Sequence, residues 1–202
     1  MKIYMIRHGE TPFNLERRYQ GMYVETMLTE RGREQARAAS RLLEGISLDY
    51  VYVSPSVRTM ETARLLLPQR EHFIPLEELR ETDVGRYAER LRDDCIKEDP
   101  ALFEQVESTK DFSLVGGESF EMLKSRAKRA LDLILEQGGD CVLVVSHGGL
   151  IRALLTAALD VAPEVLGFAV NCALSAVNVT ETGNRLILFN QTAVTASETD
   201  VL

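Results

Sequence analysis

Two apolar, strand-like runs in this chain end in the dipeptide His-Gly, and this repeated pattern constrains the fold more than any other feature. The first run covers residues 3–7 and ends at His8; the second covers residues 142–146 and ends at His147. In an α/β protein, side chains at the carboxyl ends of strands face the crevice where ligands bind. We therefore expect the two imidazoles to meet in one crevice despite their separation in sequence.

Short β-rich runs alternate with longer segments of helical spacing, which predicts an α/β sheet. The runs lie near residues 2–6, 50–53, 72–75, 141–146, 174–180 and 185–190. Helices are predicted from Thr29, as N-cap, to Leu43 and over residues 119–137. The last two runs flank a short connection typical of a hairpin, so one edge strand is expected to be antiparallel. We expect the polar tail beyond Gln191 to be poorly ordered.

The length and composition predict one domain over residues 1–202. The chain has 202 residues, 45% of them hydrophobic. The segment 82–116 departs from the strand-helix alternation, and its nine acidic residues outnumber its five basic ones. We interpret it as a mostly helical insertion over the site.

The net charge of −8 argues against a nucleic-acid partner, although a few converging arginines can still bind an anionic substrate. The three cysteines have no CxxC spacing, which argues against a disulfide framework or a structural zinc site. We find neither a signal peptide nor an apolar run of about 20 residues that would span a membrane. We expect a cytoplasmic protein without a membrane partner.

The segment that follows the first strand, residues 7–11, reads Arg-His-Gly-Glu-Thr. Arg7 offers a planar fork of N–H donors to a phosphate, and a neutral His8 offers a lone pair as nucleophile. Gly9 allows the backbone to turn sharply and approach a ligand. The alternative is a buried structural histidine satisfied by hydrogen bonds.

Two further segments point to the same crevice. After the second strand, Ser54 is a candidate N-cap with Pro55 as first helical residue, which places Arg58 in the first turn or so. An arginine there opposes the helix dipole, so we expect it to face an anion; a solvated surface arginine is the alternative. The small residues after His147, beginning with Gly148, leave a helix N-terminus open to a phosphate oxygen. A second structural histidine is the alternative reading of His147.

A metal centre is a competing interpretation of the histidines together with Glu10 and the acids near residues 81–99. The chain lacks His-x-x-x-His and Cys/His ligand spacings, and the arginines supply the positive charge that a metal would otherwise bring. We therefore expect neither a metal nor another cofactor.

Four blocks in order resemble the histidine phosphatase superfamily, also called the phosphoglycerate mutase-like family. They are residues 7–11, residues 54–63, Gly117-Glu118-Ser119 and residues 145–149. The resemblance implies a three-layer α/β/α sandwich with a mostly parallel sheet. It also implies that His8 attacks phosphorus while Arg7, Arg58 and His147 surround the phosphoryl oxygens.

The resemblance extends to the substrate side and to the proton donor. Asn14, Gln20 and Gly21 match positions that line the substrate side of the pocket in the family. A leaving alkoxide needs an acid and the later water needs a base; many carboxylates would serve, and the motif Leu79-Arg80-Glu81 points to Glu81. After Gly85-Arg86 this chain has Tyr-Ala-Glu in place of the family's frequent Trp-Glu-Gly, and residues 25–27 replace its usual Asp-x-Pro.

We expect a phosphomonoester hydrolase of the histidine acid phosphatase type, acting on a small phosphorylated metabolite. A sugar phosphate, a ribazole phosphate and a nucleotide all stay open. Phosphoglycerate mutase-type transfer is the nearest alternative, but the Arg-Arg-Ser and Pro-Pro-Pro stretches of those enzymes are absent from the sequence. The acidic insertion is also expected to repel a doubly phosphorylated acid. A noncatalytic phosphate-binding module is a second alternative, and a homodimer is compatible with the family.

Overall fold

The computed structural model describes residues 1–193 and contains one six-stranded sheet. The sheet order is β3-β2-β4-β1-β5-β6. The strands are β1 (Lys2–Arg7), β2 (Tyr50–Val53), β3 (Ile74–Pro75), β4 (Cys141–Ser146), β5 (Leu174–Asn178) and β6 (Arg185–Gln191). The first four are mutually parallel, whereas β5 is antiparallel to β1 and to β6. The predicted sheet, with an antiparallel pair at one edge, is confirmed.

The strand register brings the predicted site residues to one edge of the sheet. Arg7 at the end of β1 pairs with Ser146 at the end of β4, so the two His-Gly segments leave the sheet side by side. Ser54 follows β2 at the same edge, and its amide donates to the carbonyl of Val145 at 3.0 Å. The carboxyl ends of three neighbouring parallel strands therefore surround one crevice.

Helices cover both faces of the sheet and complete three layers. They are α1 (Pro12–Leu15), α2 (Glu30–Ala39), α3 (Val57–Leu66), α4 (Arg92–Glu98), α5 (Pro100–Thr109), α6 (Phe120–Gln137) and α7 (Gly148–Leu159). Successive side chains of β4 point to opposite faces of the sheet, and the side chains on both faces are buried. Val142 and Val144 pack in the cluster that contains residues of α6 and α7, while Leu143 and Val145 pack with residues of α2 and α3.

Two of the predicted helices are confirmed together with their caps. The Thr29 hydroxyl accepts from the Gly32 amide at 2.9 Å, and α2 continues into a 3₁₀ turn over residues 40–43. Ser119 caps α6 through the Met122 amide at 3.2 Å. The predicted stripe of α6 is buried at Leu123, Ala127, Leu131 and Ile134, with Phe120 half-buried.

The predicted start of α3 is wrong. The helix begins at Val57 with Ser56 as N-cap, and neither Ser54 nor Pro55 is helical. The Ser54 hydroxyl contacts His147, and its carbonyl accepts from the Thr59 hydroxyl at 2.7 Å. A side chain that is held across the crevice is unavailable to cap its own helix.

The segment 82–116 forms α4, α5 and 3₁₀ turns over Gly85–Tyr87 and Phe112–Val115. It builds a separate small apolar cluster that includes Tyr19, Tyr87, Val106 and Phe112. The helical insertion is thus present, while the single domain over residues 1–202 stays a prediction.

The tail from residue 194 onward lies outside the described residues. None of the described helices is long and apolar enough to cross a bilayer.

Candidate active site

A cleft of about 250 Å³ opens at the carboxyl edge of the sheet, under the 82–116 insertion. Eight of the nine predicted site residues line it: Arg7, His8, Asn14, Gln20, Gly21, Arg58, Glu81 and Gly148. The ninth, His147, is fully buried, and its ring centroid lies 5.3 Å from that of His8. The structure therefore brings all nine predicted residues together.

The His8 ring has one nitrogen engaged and one available. Its Nδ1 lies 2.8 Å from the Gly9 carbonyl oxygen. Because a carbonyl can only accept, Nδ1 carries the hydrogen and Nε2 keeps its lone pair. Burial lowers the pKa of His8 well below its usual value, and the guanidinium groups of Arg58 and Arg7 lower it further. The imidazole is therefore neutral and nucleophilic at neutral pH.

Gly9 has no room for a side chain, although the reason differs from the expected approach to a ligand. A Cβ atom at Gly9 would collide with the carbonyl oxygen of Gly32 at the start of α2. The Gly9 amide donates to the Thr62 hydroxyl of α3 at 3.0 Å. This close packing holds the turn after His8 against two helices.

His147 is oriented by Ser54 through a 2.8 Å contact between Nε2 and Oγ. Its Nδ1 atom has no hydrogen-bond partner within residues 1–193. Burial is the main cause that lowers the pKa of His147, followed by the charge of Arg58. A neutral imidazole with one free nitrogen beside His8 can offer that nitrogen to a phosphoryl oxygen.

Two guanidinium groups are fixed by backbone carbonyls. Arg7 donates from Nη1 to Ala169 at 2.8 Å. Arg58 is fully buried and donates from Nη1 to Val24 at 2.6 Å and from Nη2 to Gly21 at 3.1 Å. Burial lowers the pKa of Arg58 to about 10, which still leaves it protonated at neutral pH. We call the group formed by Arg7, His8, Arg58 and His147 the phosphate cradle. Its two guanidinium groups are already held in place, so they need not move when an anion binds.

The Glu81 carboxylate lies at the wall of the same cleft. One oxygen accepts from the Thr82 amide at 2.9 Å, and the other lies 3.3 Å from the Gly149 amide at the start of α7. The backbone of Glu81 is held by Arg126, which donates to the Glu81 carbonyl at 3.0 Å. Arg126 also pairs with Glu118 at 2.7 Å. The Gly117-Glu118-Ser119 motif therefore supports the segment that carries Glu81.

The three predicted substrate-side residues also have structural contacts. The Asn14 side chain accepts from the Thr11 amide at 3.0 Å in the capping box of α1. Gln20 accepts from the Thr26 hydroxyl at 2.9 Å. Gly21 has a φ of +69°, a conformation that favours glycine, and its carbonyl accepts from Arg58. These residues line the cleft, and their contacts also hold its wall in place.

The carboxylate of Glu10, which the metal interpretation includes, is buried. It accepts from the Thr29 hydroxyl at 2.7 Å and lies 3.4 Å from Arg31. It therefore links the turn after β1 to the start of α2.

The outer wall of the cleft contains residues that sequence reasoning missed. Glu107 accepts from the Tyr19 hydroxyl at 2.6 Å, from Arg92 at 2.5 Å and from Lys110 at 2.7 Å. Burial raises the pKa of Glu107, but Lys110, Tyr19 and Arg92 together outweigh it and hold the pKa below its usual value. Among the described residues, Glu107 is the one acid of the insertion that lines the cleft. The expected repulsion of anions by the insertion is therefore wrong, because the other acids lie elsewhere and this one is paired with two cations.

Asn171 and Ser54 were also missed as site residues. The Asn171 side chain donates to the His8 carbonyl at 2.8 Å. Ser54 opens the motif block 54–63, but that block does not show which residue its hydroxyl contacts, and no pattern around Asn171 distinguishes its contact from an ordinary buried polar group.

Comparison with known proteins assigns the family. The sequence profile of the histidine phosphatase superfamily (branch 1) matches residues 3–192. The chain therefore belongs to the histidine phosphatase superfamily.

Individual relatives include phosphatases and mutase-like proteins. Adenosylcobalamin/alpha-ribazole phosphatase of Escherichia coli K12 is 33% identical over 82% of this chain and 83% of its own. Phosphoglycerate mutase-like protein 4 of Arabidopsis thaliana is 33% identical over 81% of this chain and 74% of its own. The crystal structure of alpha-ribazole phosphatase from Shigella flexneri superposes with a TM-score of 0.85 at 28% identity, covering 98% of this chain and all of the other.

Proposed function

We propose that this protein is a phosphomonoester hydrolase that transfers the phosphoryl group of a small metabolite first to His8 and then to water. The observation that carries this proposal is the 2.8 Å contact between His8 Nδ1 and the Gly9 carbonyl. It leaves Nε2 with its lone pair in a cleft lined by Arg7 and Arg58. A neutral nucleophile between two cations suits attack on an anionic phosphate.

In the first half-reaction, His8 Nε2 attacks phosphorus and the bond to the ester oxygen breaks. The leaving oxygen takes a proton from Glu81, which lies in the same cleft. Arg7, Arg58 and Nδ1 of His147 donate to the three equatorial oxygens, where negative charge is concentrated in the transition state. The products are an alcohol, a phosphohistidine and ionised Glu81.

In the second half-reaction, water attacks the phosphohistidine and Glu81 accepts its proton. The phosphorus–nitrogen bond breaks, and its electron pair returns to His8 Nε2. One carboxyl group thus serves as acid and then as base. Phosphate leaves, and both His8 and Glu81 are restored.

The size and lining of the cleft support a small substrate. Its volume of about 250 Å³ is at or below the lower end for small-molecule sites. The rings of Phe13, Tyr19, Phe112 and Phe168 line the part beyond the cradle. The names of the relatives suggest an α-ribazole-type phosphate or a phosphorylated sugar acid as candidate substrates.

Trapping the intermediate tests the proposal. The wild-type protein, mixed with a screen of phosphomonoesters and quenched at alkaline pH, is expected to carry a phosphoryl group on His8 and to release phosphate. His8→Ala is expected to lose turnover by at least about 10³-fold. His72→Ala, which changes an exposed histidine, is the matched control and should retain turnover. Undiminished hydrolysis by His8→Ala would refute the mechanism.

The same screen separates the alternatives. Isomerisation of 3-phosphoglycerate without phosphate release would indicate a mutase. Ligand binding with neither phosphoenzyme nor turnover would indicate a noncatalytic module. The cytoplasmic location and the homodimer stay predictions, which cell fractionation and sedimentation of the purified protein test directly.

A further inference from the structure

Two basic side chains that line the cleft project from backbone in the left-handed region. Arg17 has a φ of +54° and Lys110 a φ of +55°. Non-glycine residues rarely adopt this conformation. Glycine would adopt it without cost. Both residues stand where helices commonly end in this conformation, Lys110 as the C-cap of α5 and Arg17 just after the C-cap of α1. The structure adds that each position carries a cation that lines the cleft.

The backbone of Arg17 is held from both sides. Its amide donates to the Asn14 carbonyl at 3.2 Å, and its carbonyl accepts from the Arg92 amide at 3.0 Å. The second bond joins the end of α1 to the start of α4. Together the two bonds fix the backbone from which the Arg17 side chain projects.

The Arg17 guanidinium is exposed and forms neither a hydrogen bond nor an ion pair with any residue from 1 to 193. Its neighbour Arg18, in contrast, is paired with Glu16 at 2.9 Å. Arg17 therefore brings an uncompensated positive charge to the cleft.

The other charged residues of the outer wall also carry a net positive charge. The single charge of Glu107 is shared by Arg92 and Lys110, so this cluster carries a net positive charge. Lys110 also lies over the Phe168 ring at 5.5 Å. The outer cleft is thus locally cationic although the chain carries a net charge of −8. Local charges of this kind attract an anion regardless of the total.

We propose that Arg17, assisted by Lys110, binds a second anionic group on the alcohol part of the substrate. The phosphoryl group occupies the cradle around His8, and a carboxylate or second phosphate faces the cationic outer wall. The enzyme then selects phosphomonoesters whose leaving group is itself charged, so that, of the two candidate substrates, the phosphorylated sugar acid is preferred to the α-ribazole-type phosphate. This inference rests on the proposed hydrolase function and assigns Arg17 as a specificity-determining residue.

Two matched pairs of esters test the selectivity. 3-Phosphoglycerate and glycerol 3-phosphate differ mainly by a carboxylate; fructose 1,6-bisphosphate and fructose 6-phosphate differ by a phosphate. We define the selectivity ratio as kcat/KM for the charged member divided by kcat/KM for the other. The wild-type ratio is expected to exceed one in at least one pair, which also identifies the preferred anion.

Arg17→Gln removes the charge and is expected to lower that ratio about tenfold or more, as for the loss of a hydrogen bond to a charged group. Arg17→Gly is expected to lower it equally while raising the melting temperature, because glycine relieves the left-handed backbone. Arg64→Gln changes an exposed arginine of α3 outside the cleft and should leave the ratio unchanged. A wild-type ratio of one or less in both pairs, or an unchanged ratio in both Arg17 variants, would overturn the inference.

Equilibrium binding separates this inference from the proposed function. The same esters are titrated into His8→Ala protein with and without Arg17→Gln, so that no turnover occurs. A tenfold loss of affinity confined to the charged ester supports the Arg17 contact even where the phosphoenzyme is never trapped. An equal loss for both members of a pair rejects the contact while leaving hydrolysis through His8 intact.

Discussion

The hydroxyl of Ser54 lies 2.8 Å from Nε2 of His147, and this contact links the end of β2 to the end of β4. Both side chains are fully buried. With Nε2 engaged, the histidine ring presents Nδ1, which has no partner in the described part of the chain. A serine that the sequence assigns to a helix cap therefore orients a residue of the phosphate cradle.

Ser54→Ala is expected to lower kcat/KM about tenfold, because His147 loses the partner that sets its orientation. Affinity for vanadate, which resembles the transferred phosphoryl group, should fall with it. Ser56→Ala is the matched control: its hydroxyl is also buried but contacts Thr59 at 2.7 Å. Equal effects of the two variants on vanadate affinity would show that the Ser54 contact has no special role.

Gly149→Ala is expected to displace Glu81 and to reduce kcat by about tenfold or more. A Cβ atom at Gly149 would lie 2.5 Å from the Glu81 carboxylate and 2.7 Å from the Thr82 hydroxyl. Both are ends of side chains that can rotate away, so the melting temperature should change little. Phosphate release measured at saturating substrate tests the effect.

Gly148→Ala provides the comparison, since its Cβ atom would make ordinary contacts with Arg7 at 3.5 Å or more. We expect it to retain far more activity than Gly149→Ala. The idea fails if the two variants are equally impaired at equal stability.

The unliganded protein is expected to lose stability as the pH falls below about 6.5, the ordinary pKa of histidine. Burial, reinforced by the arginines, lowers the pKa of both His8 and His147. The unfolded chain then binds protons before the folded chain does, so acid favours unfolding. His147→Gln should reduce the loss between pH 7.5 and 5.5 by about 1 kcal/mol in urea titrations.

Saturating vanadate is expected to reduce the loss in the wild type, since a bound anion favours protonated imidazole. A wild-type stability that is flat between pH 7.5 and 5.5 would contradict the burial of two neutral histidines.

Arg126→Met is expected to destabilise the fold by about 3 kcal/mol and to lower kcat. Arg126 donates to the carbonyls of Arg80 and Glu81, and its loss leaves Glu118 as an unpaired carboxylate with little exposure. The double variant Arg126→Met/Glu118→Leu should recover part of the stability but not kcat. Calorimetry and steady-state kinetics on both variants separate these effects; recovery of kcat would mean that Arg126 does not position Glu81.

Short-range sequence patterns were sufficient to predict most of the architecture. The apolar run of β4 is buried on both faces, and the Thr29 and Ser119 caps fall where the spacing indicates. These features depend on side-chain periodicity and on hydrogen bonds between residues close in the chain. The ordered motifs extended the prediction to the cradle, because three of the four lie at the end of a strand whose carboxyl end opens on one crevice.

The tertiary structure decided the contacts that join distant segments. Nothing near Ser54 in the sequence indicates that its hydroxyl contacts His147. Likewise, nothing near Glu107 indicates that its carboxylate binds the side chains of Arg92, Lys110 and Tyr19. The acidic composition of residues 82–116 even suggested the wrong sign for the outer cleft. The sequence gives the number of charged side chains in a segment. The charge that a ligand meets depends on which of them the fold places in the cleft, because the others are paired with opposite charges or lie in solvent.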